Sequence, residues 1–552
     1  MSVRKNGSLI IRRQLLAMLL VIALCASVAM AAYGSGAAKS PEVINPMPIT
    51  EETTTLTYFR PVNGYEVTRM STLDDKRNYQ ELEKITNIKI DWVSPPEGAG
   101  VEWLTLQLST GDIPDIIGDW IFQLPGGIPK AIEDDLVLPL NDYLDDYAPY
   151  YQRLRTMIPD VGKQTMYDSG VVPGFYQIQV DTESPWAGVM IRKDMLDKVG
   201  LGVPETMEDW YEALTALKNN GIEIPIQMDP ELIAYGGFFL GAYGIGWEYY
   251  QDDGVVKYGN IQPEFKDFIA ELHKWYAEGL LDPDFDTRDW DSRTELILND
   301  RAAAFFNWNW QVFGKAINET GKGEIVSVPF PTLRDGGPVK FSQKMYNVNP
   351  GVCAVITTSC ENPEVAIRWM DYMYSEDGFL LMNYGVEGES YVFEDGLPDE
   401  MMFKEPAAWA PFLPKLFSEG KHPVFTEAML KDPDFEFYMA SSPWKDQYGP
   451  YLRTDRGNER EMDFFAFARY DLWTRPSTEQ NLPNISFTTD ESGRISEIKT
   501  DIDTYRKEMY FAFIKGTESL DNWDNYVATM KSMGIDEMVA IYQAALDRYN
   551  AR

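Results

Sequence analysis

The chain has 552 residues, 86 acidic against 49 basic, and a formal net charge of −37. That balance excludes the basic footprint a nucleic-acid partner needs and disfavours docking of the folded surface on anionic lipid. Hydrophobic residues at 44% and aromatics at 13% supply enough apolar surface for a packed protein, at a length that suits two lobes better than one core.

Arg4, Lys5, Arg12 and Arg13 precede an apolar run at 15–26, and Ala29-Met30-Ala31 offers small residues for cleavage. Residues 1–31 therefore read as a signal peptide, with an uncleaved anchor as the alternative. Residues 32–50 are rich in Ala, Gly, Ser and Pro and read as a flexible tether. No second apolar run of spanning length follows. Cys25 lies in the leader. Cys353 and Cys360 fall in a stretch that reads as a buried strand, where seven residues span about 23 Å, too far for a disulfide.

Globular signals begin with a β-prone run at 53–59. A helix is expected at 78–86, an alternating strand at 88–93, a helix at 101–109 stopped by Gly111, and a strand at 113–117. This is βαβ order, the mark of an α/β sheet with ligands at the strand ends. A second block opens with a strand at 188–191 and a helix at 193–199 ended by Gly200. Thr206 then caps a helix, with Asp209 three residues on as an acidic capping box. The chain is helix-rich to about 298, and 302–306 reads as a buried strand. A third block at 345–384 is strand then helix, and 523–549 is helical with a break at Gly534. No solenoid repeat is visible.

Several segments carry a resemblance. Ser109-Thr110-Gly111-Asp112-Ile113-Pro114-Asp115 matches a small-Gly-Asp-x-Pro-Asp turn, and Ile191-Arg192-Lys193-Asp194-Met195-Leu196 with Pro204-Glu205-Thr206 matches the entry to a second lobe. Glu278-Gly279-Leu280-Leu281-Asp282-Pro283, Asn362-Pro363-Glu364, Gly385 to Gly388, and Leu520-Asp521-Asn522-Trp523 continue the series. In order and spacing these resemble the extracellular solute-binding proteins of carbohydrate ABC importers, and among them the LplA-like lipoproteins. The resemblance implies an α/β, two-lobed periplasmic-binding-protein-like fold (type II) with a ligand cleft at a hinge. It implies lobe 1 from 51–183 and 340–450, lobe 2 from 184–339, and a C-terminal helical extension, 451–552, packing across both. It also implies a non-enzymatic monomer without cofactor that binds a mono- or oligosaccharide and delivers it to an ABC permease. The chain would be exported, to the extracellular face of the membrane or into the medium. At the position of the lipobox cysteine stands Tyr33, which cannot accept a lipid. The segment from Lys218 to Pro225 is too short for the calcium loop of many relatives, so no metal is expected there.

Sugar sites mix aromatic rings, which stack on C–H faces, with a few polar groups. The candidates are Asp119 and Trp120 after the strand ending at Ile117, Trp308 and Trp310 after the strand at 302–306, and Trp186 at the expected interlobe crossing. Tyr384 and Glu387 sit in or beside the glycine-flanked turn 385–388. Arg192 reads as a structural partner of the acidic helix start. Asp282-Pro283-Asp284-Phe285-Asp286 begins like an EF-hand loop but has Thr287 in sixth place and Arg293 in twelfth, so it reads as a solvated, helix-capping turn. Only His273 and His422 occur, and no phosphate-binding glycine loop is present. The rival readings are a secreted glycoside hydrolase, for which acidic pairs carry little specificity here, and a sugar sensor or scavenger not coupled to transport.

Overall fold

The computed structural model describes residues 46–61, 72–95, 99–118, 126–158, 160–179, 188–228, 237–307, 313–334, 337, 339–340, 348–395, 411–417, 419, 421–430, 444–445 and 479–552. β1 (Thr54–Phe59) buries Leu56, Tyr58 and Phe59, and α1 (Arg77–Thr86) carries the chain to β2 (Ile88–Val93), parallel to β1. α2 (Gly100–Thr110) ends at Gly111, whose φ of 78° lies in the left-handed region that glycine adopts at least cost. β3 (Ile116–Gly118) then pairs parallel with the other side of β1. It starts later than the sequence suggests because Pro114 has no N–H and Asp115 serves as a staple. The Asp115 carboxylate accepts hydrogen bonds from Thr57 N at 2.7 Å and Thr57 Oγ1 at 2.8 Å.

After β4 (Phe175–Gln179) the chain enters a second sheet with β5 (Gly188–Arg192). α3 (Lys193–Val199) stops at Gly200 as expected. Thr206 caps α4 (Met207–Asn219): its hydroxyl accepts Asp209 N at 3.1 Å, and Asp209 accepts Thr206 N at 2.9 Å. α4 buries Trp210, Ala213, Leu214 and Leu217, one stripe of a 3.6-residue period. β6 (Ile224–Gln227), a hairpin of β7 (Tyr249–Asp252) and β8 (Val255–Tyr258), and α5 (Pro263–Ala277) follow. β9 (Ala302–Asn307) and β10 (Ile325–Ser327) complete a four-stranded sheet ordered β10–β5–β9–β6.

β11 (Val348–Ile356) returns to the first sheet and lies antiparallel between β3 and β4. α6 (Pro363–Tyr372), α7 (Glu376–Tyr384) and a hairpin of β12 (Tyr391–Asp395) and β13 (Lys421–Phe425) come next, then β14 (Trp444–Lys445) beside β4. The first sheet is thus six-stranded, β14–β4–β11–β3–β1–β2. Each sheet has its own core of buried apolar residues, and these make the two lobes of an α/β protein. β11 ends at Ile356, and Cys360 follows in a turn where its N–H meets Thr357 O at 3.2 Å, so the two cysteines do not share one strand. Cys360 is a free, buried thiol.

α8 (Thr489–Lys515), α9 (Trp523–Ser532) and α10 (Ile535–Ala551) add Tyr510, Phe513, Trp523, Tyr526 and Met538 to the second lobe's core. Gly534, at φ 108°, makes the expected break between α9 and α10. The Tyr542 ring of α10 stacks on Tyr249 at 3.7 Å. The far end of α10 reaches the first lobe. There Arg548 and Arg552 converge on Asp168, just beyond the short helix Val161–Gln164, with Arg552 Nη2 at 3.0 Å. Arg548 also holds Glu491 at 2.6 Å, and Arg552 also donates to Lys163 O at 3.0 Å.

Two measurements test these packings. Asp168→Ala leaves two partly buried guanidinium groups short of a carboxylate, and should lower the unfolding free energy in urea by about 1–3 kcal/mol. Glu376, at the start of α7, accepts Lys415 N at 2.7 Å, and its burial pushes the carboxyl up to about 7 from an ordinary 4.5. The folded chain therefore holds a proton that the unfolded chain has released, so stability falls as pH rises from 4.5 to about 7 and levels off above. Glu376→Gln should stabilise the protein at pH 8 by about 1 kcal/mol, a figure discounted for partial exposure, and leave it little changed at pH 4.5. Urea midpoints that move equally at both pH values would contradict that reading.

Candidate functional site

The directions of the strands place the site. β1, β2, β3 and β4 run the same way, so their C-terminal ends share one edge of the first sheet. β6, β9 and β10 likewise end at one edge of the second. The outgoing crossing leaves β4 at Gln179 and enters β5 at Gly188, which is the register partner of Asn307 at the end of β9. The return leaves β10 at Ser327 and enters β11 at Val348, the register partner of Ile178 in β4. Both crossings thus join the same two edges. Ligands of α/β sheets settle outside the carboxyl ends of the strands, and the cleft between the lobes is bounded by these two edges.

Five of the sequence candidates attach to them. Asp119 and Trp120 continue the chain from Gly118 of β3, Trp308 and Trp310 continue it from Asn307 of β9, and Trp186 stands two residues before β5. All five lie outside the described residues. Tyr384 is a different matter. It is fully buried at the end of α7, with its ring 5.7 Å from Phe425 and 5.9 Å from Tyr391. The hairpin β12–β13 encloses this end of the helix, so Tyr384, read from the sequence as a sugar-binding candidate, is placed as a core residue. Glu387 is exposed in the turn that leads to β12, where Gly388 N meets Tyr391 O at 2.7 Å.

The charged candidates are committed to packing. Arg192 is 2% exposed and grips Asp194 at 2.7 and 3.0 Å and also Asp300. The acidic run from Asp282 to Asp286 is not a solvated turn. Asp282 is fully buried and bonded to Arg288, whose Nη2 also meets Asp284 at 3.2 Å, while Asp286 takes Lys515 of α8 at 2.5 Å. Its carboxylates are neutralised by cations, and no group of three or more metal-ligating side chains occurs among the described residues.

The sequence reading passed over a set of amides at the first sheet's cleft edge. Gln177 and Gln179 alternate along β4, 8% and 1% exposed, and Asn349 stands opposite Gln177 in register. Gln179 Nε2 donates to Gln177 Oε1 at 3.2 Å, but Gln179 Oε1 is buried without a donor. Such an orphan costs about 1–3 kcal/mol. Gln227, 3% exposed, closes β6 on the other lobe. The signal was present as two glutamines at i and i+2 inside an apolar strand, Phe175-Tyr176-Gln177-Ile178-Gln179.

Known proteins share this construction. The fructooligosaccharide ABC transporter substrate-binding protein FusA of Streptococcus pneumoniae is 23% identical over 87% of this chain and 88% of its own. The polygalacturonan/rhamnogalacturonan-binding protein YtcQ of Bacillus subtilis is 25% identical over 57% of this chain and 63% of its own. Among solved structures, the alginate-binding protein AlgQ2 without calcium ion superposes with a TM-score of 0.67 at 22% identity, over 90% of this chain and 99% of that one. An HMO-binding, ABC-transporter-associated solute-binding protein from Bifidobacterium longum infantis gives 0.65 at 18% identity, over 91% of this chain and 99% of that one. The sequence profile described as bacterial extracellular solute-binding protein matches residues 72–378, more than half of the chain. By that match and this two-lobed fold, the chain belongs to the bacterial extracellular solute-binding proteins.

Proposed function

We propose that this protein is the substrate-binding component of an ABC importer, working as a monomer on the outer side of the membrane. It captures a mono- or oligosaccharide between its lobes, closes about the two crossings and hands the sugar unchanged to a permease. The observation that carries this reading is the convergence of both crossings on the two sheet edges that bear the candidate residues. FusA, YtcQ, AlgQ2 and the Bifidobacterium protein are each named for a carbohydrate, which supports a carbohydrate here. The moving bodies are 51–183 with 340–450, and 184–339, with 451–552 laid across both. Trp308, Trp310, Trp120 and Trp186 stack on the sugar, and Asp119 takes a hydroxyl. No helix among the described residues is long and apolar enough to cross a membrane. With Tyr33 at the acylation position, the chain is released or held by its leader rather than by a lipid.

A ligand that binds only the folded state raises stability by RT ln(1 + [L]/Kd), about 2.7 kcal/mol at a hundredfold excess over Kd. Thermal melts of the protein with glucose, galactose, maltotriose, kestose and trigalacturonate should show a concentration-dependent rise for at least one, with the sugar recovered intact. Recovery of shortened chains would favour a hydrolase, and no shift with any sugar would defeat the carbohydrate reading. Trp308→Ala combined with Trp310→Ala should weaken binding of the stabilising sugar at least tenfold while leaving the unliganded melt within a few degrees. Unchanged affinity in that folded variant would remove these rings from the site.

A further inference from the structure

One face of β4 changes character along its length. Phe175 packs against Tyr151 at 5.0 Å and Tyr374 at 5.9 Å, inside the first lobe's core. Two residues on, Gln177 begins a polar corner that Gln179 completes at the last position of the strand. Gln179 sits in register with Lys445 of β14, one residue past Ile178, which pairs with both Trp444 of β14 and Val348 at the start of β11. The Gln179 amide is oriented by the 3.2 Å bond to Gln177 Oε1, and its own Oε1 is buried with no donor from the protein. Packing alone does not ask for an amide there, since leucine or methionine fills a similar volume without a polar atom to satisfy. The strand ends at the sheet edge that faces the cleft, where the chain departs for the other lobe.

We infer that Gln179 is a ligand-recognition residue, with its Oε1 held as an acceptor for one hydroxyl of the bound sugar and Gln177 as its positioning residue. This rests on the proposed function and names the part of the cleft where the first lobe reads the sugar. An amide oxygen accepts and does not donate, so the group it selects is a hydroxyl; a carboxylate or an O-methyl group at that point is rejected. Fixing an acceptor before the ligand arrives removes the cost of orienting it on binding.

The usual substitution for a structural glutamine costs stability and spares ligand affinity; a glutamine reserved for a ligand shows the opposite pattern. Gln179→Leu and, as a second variant of different shape, Gln179→Met are made in the full exported chain. Each is melted alone and titrated calorimetrically with whichever of maltotriose, kestose or trigalacturonate stabilises the unaltered protein most. The expected result is a melting temperature equal to or above that of the unaltered chain, together with a roughly tenfold loss of affinity in both variants. A lower melting temperature with undiminished affinity in either folded variant overturns the assignment. Failure of the unaltered chain to respond to these three or to glucose or galactose overturns the parent reading instead, and is seen before a variant is titrated.

Discussion

β11 is the strand on which both lobes depend. It arrives from the second lobe and lies antiparallel between β3 and β4, bonded to each. Without it the first sheet would fall into two pieces, β14–β4 and β3–β1–β2. Its register also decides where the cleft lies. Because Val348 pairs with Ile178, the return crossing must enter beside the outgoing one, and the two connections end up at a common edge. The ordering of the chain follows as well: β11 joins the first sheet only after the strands of the second sheet have been made, so its contacts with β3 and β4 are long-range and slow to find.

Local chemistry was the most legible part of the sequence. Gly200 and Gly534 ended helices because a left-handed residue must follow, and the Thr206–Asp209 box closed as read because its partners are three residues apart. The strand at 302–306 followed from an apolar run too short for a buried helix. Reading failed where partners were distant. Asp115 looked like part of a strand, but its partner is Thr57 on β1. The acids from Asp282 to Asp286 looked solvated, but one of their cations comes from α8. Tyr384 looked like a sugar-binding ring beside a turn, but a hairpin lying later in the chain covers it. Gln179 escaped notice because its meaning lies in a missing partner, which only a three-dimensional arrangement displays.

Electrostatics gives the acidic composition a second aspect. With 86 acids against 49 bases, each cation has many carboxylates to choose among, and the least exposed ones are spent on joining elements. Arg192 binds the start of α3 to the turn before β9, Arg288 ties the loop after α5 to itself through Asp282 and Asp284, Lys515 of α8 fastens that loop through Asp286, and Arg548 binds α10 to both α8 and Asp168. Buried or half-buried pairs of this kind specify which surfaces meet more than they add to net stability.

The Asp168 tie also bears on degrees of freedom. Two bodies joined by chain crossings can turn against each other, and a side-chain tie away from the axis of turning resists that motion. The arginines at the end of α10 are such a tie. Any rotation of one lobe against the other must therefore either turn about an axis passing close to Asp168 or release it. Release would leave Arg548 its bond to Glu491, whereas Arg552 would lose the carbonyls of Lys163 and Met166 together with Asp168, because all three lie in the same segment of the first lobe. The C-terminal helix is thus a latch whose strength any such rotation has to overcome.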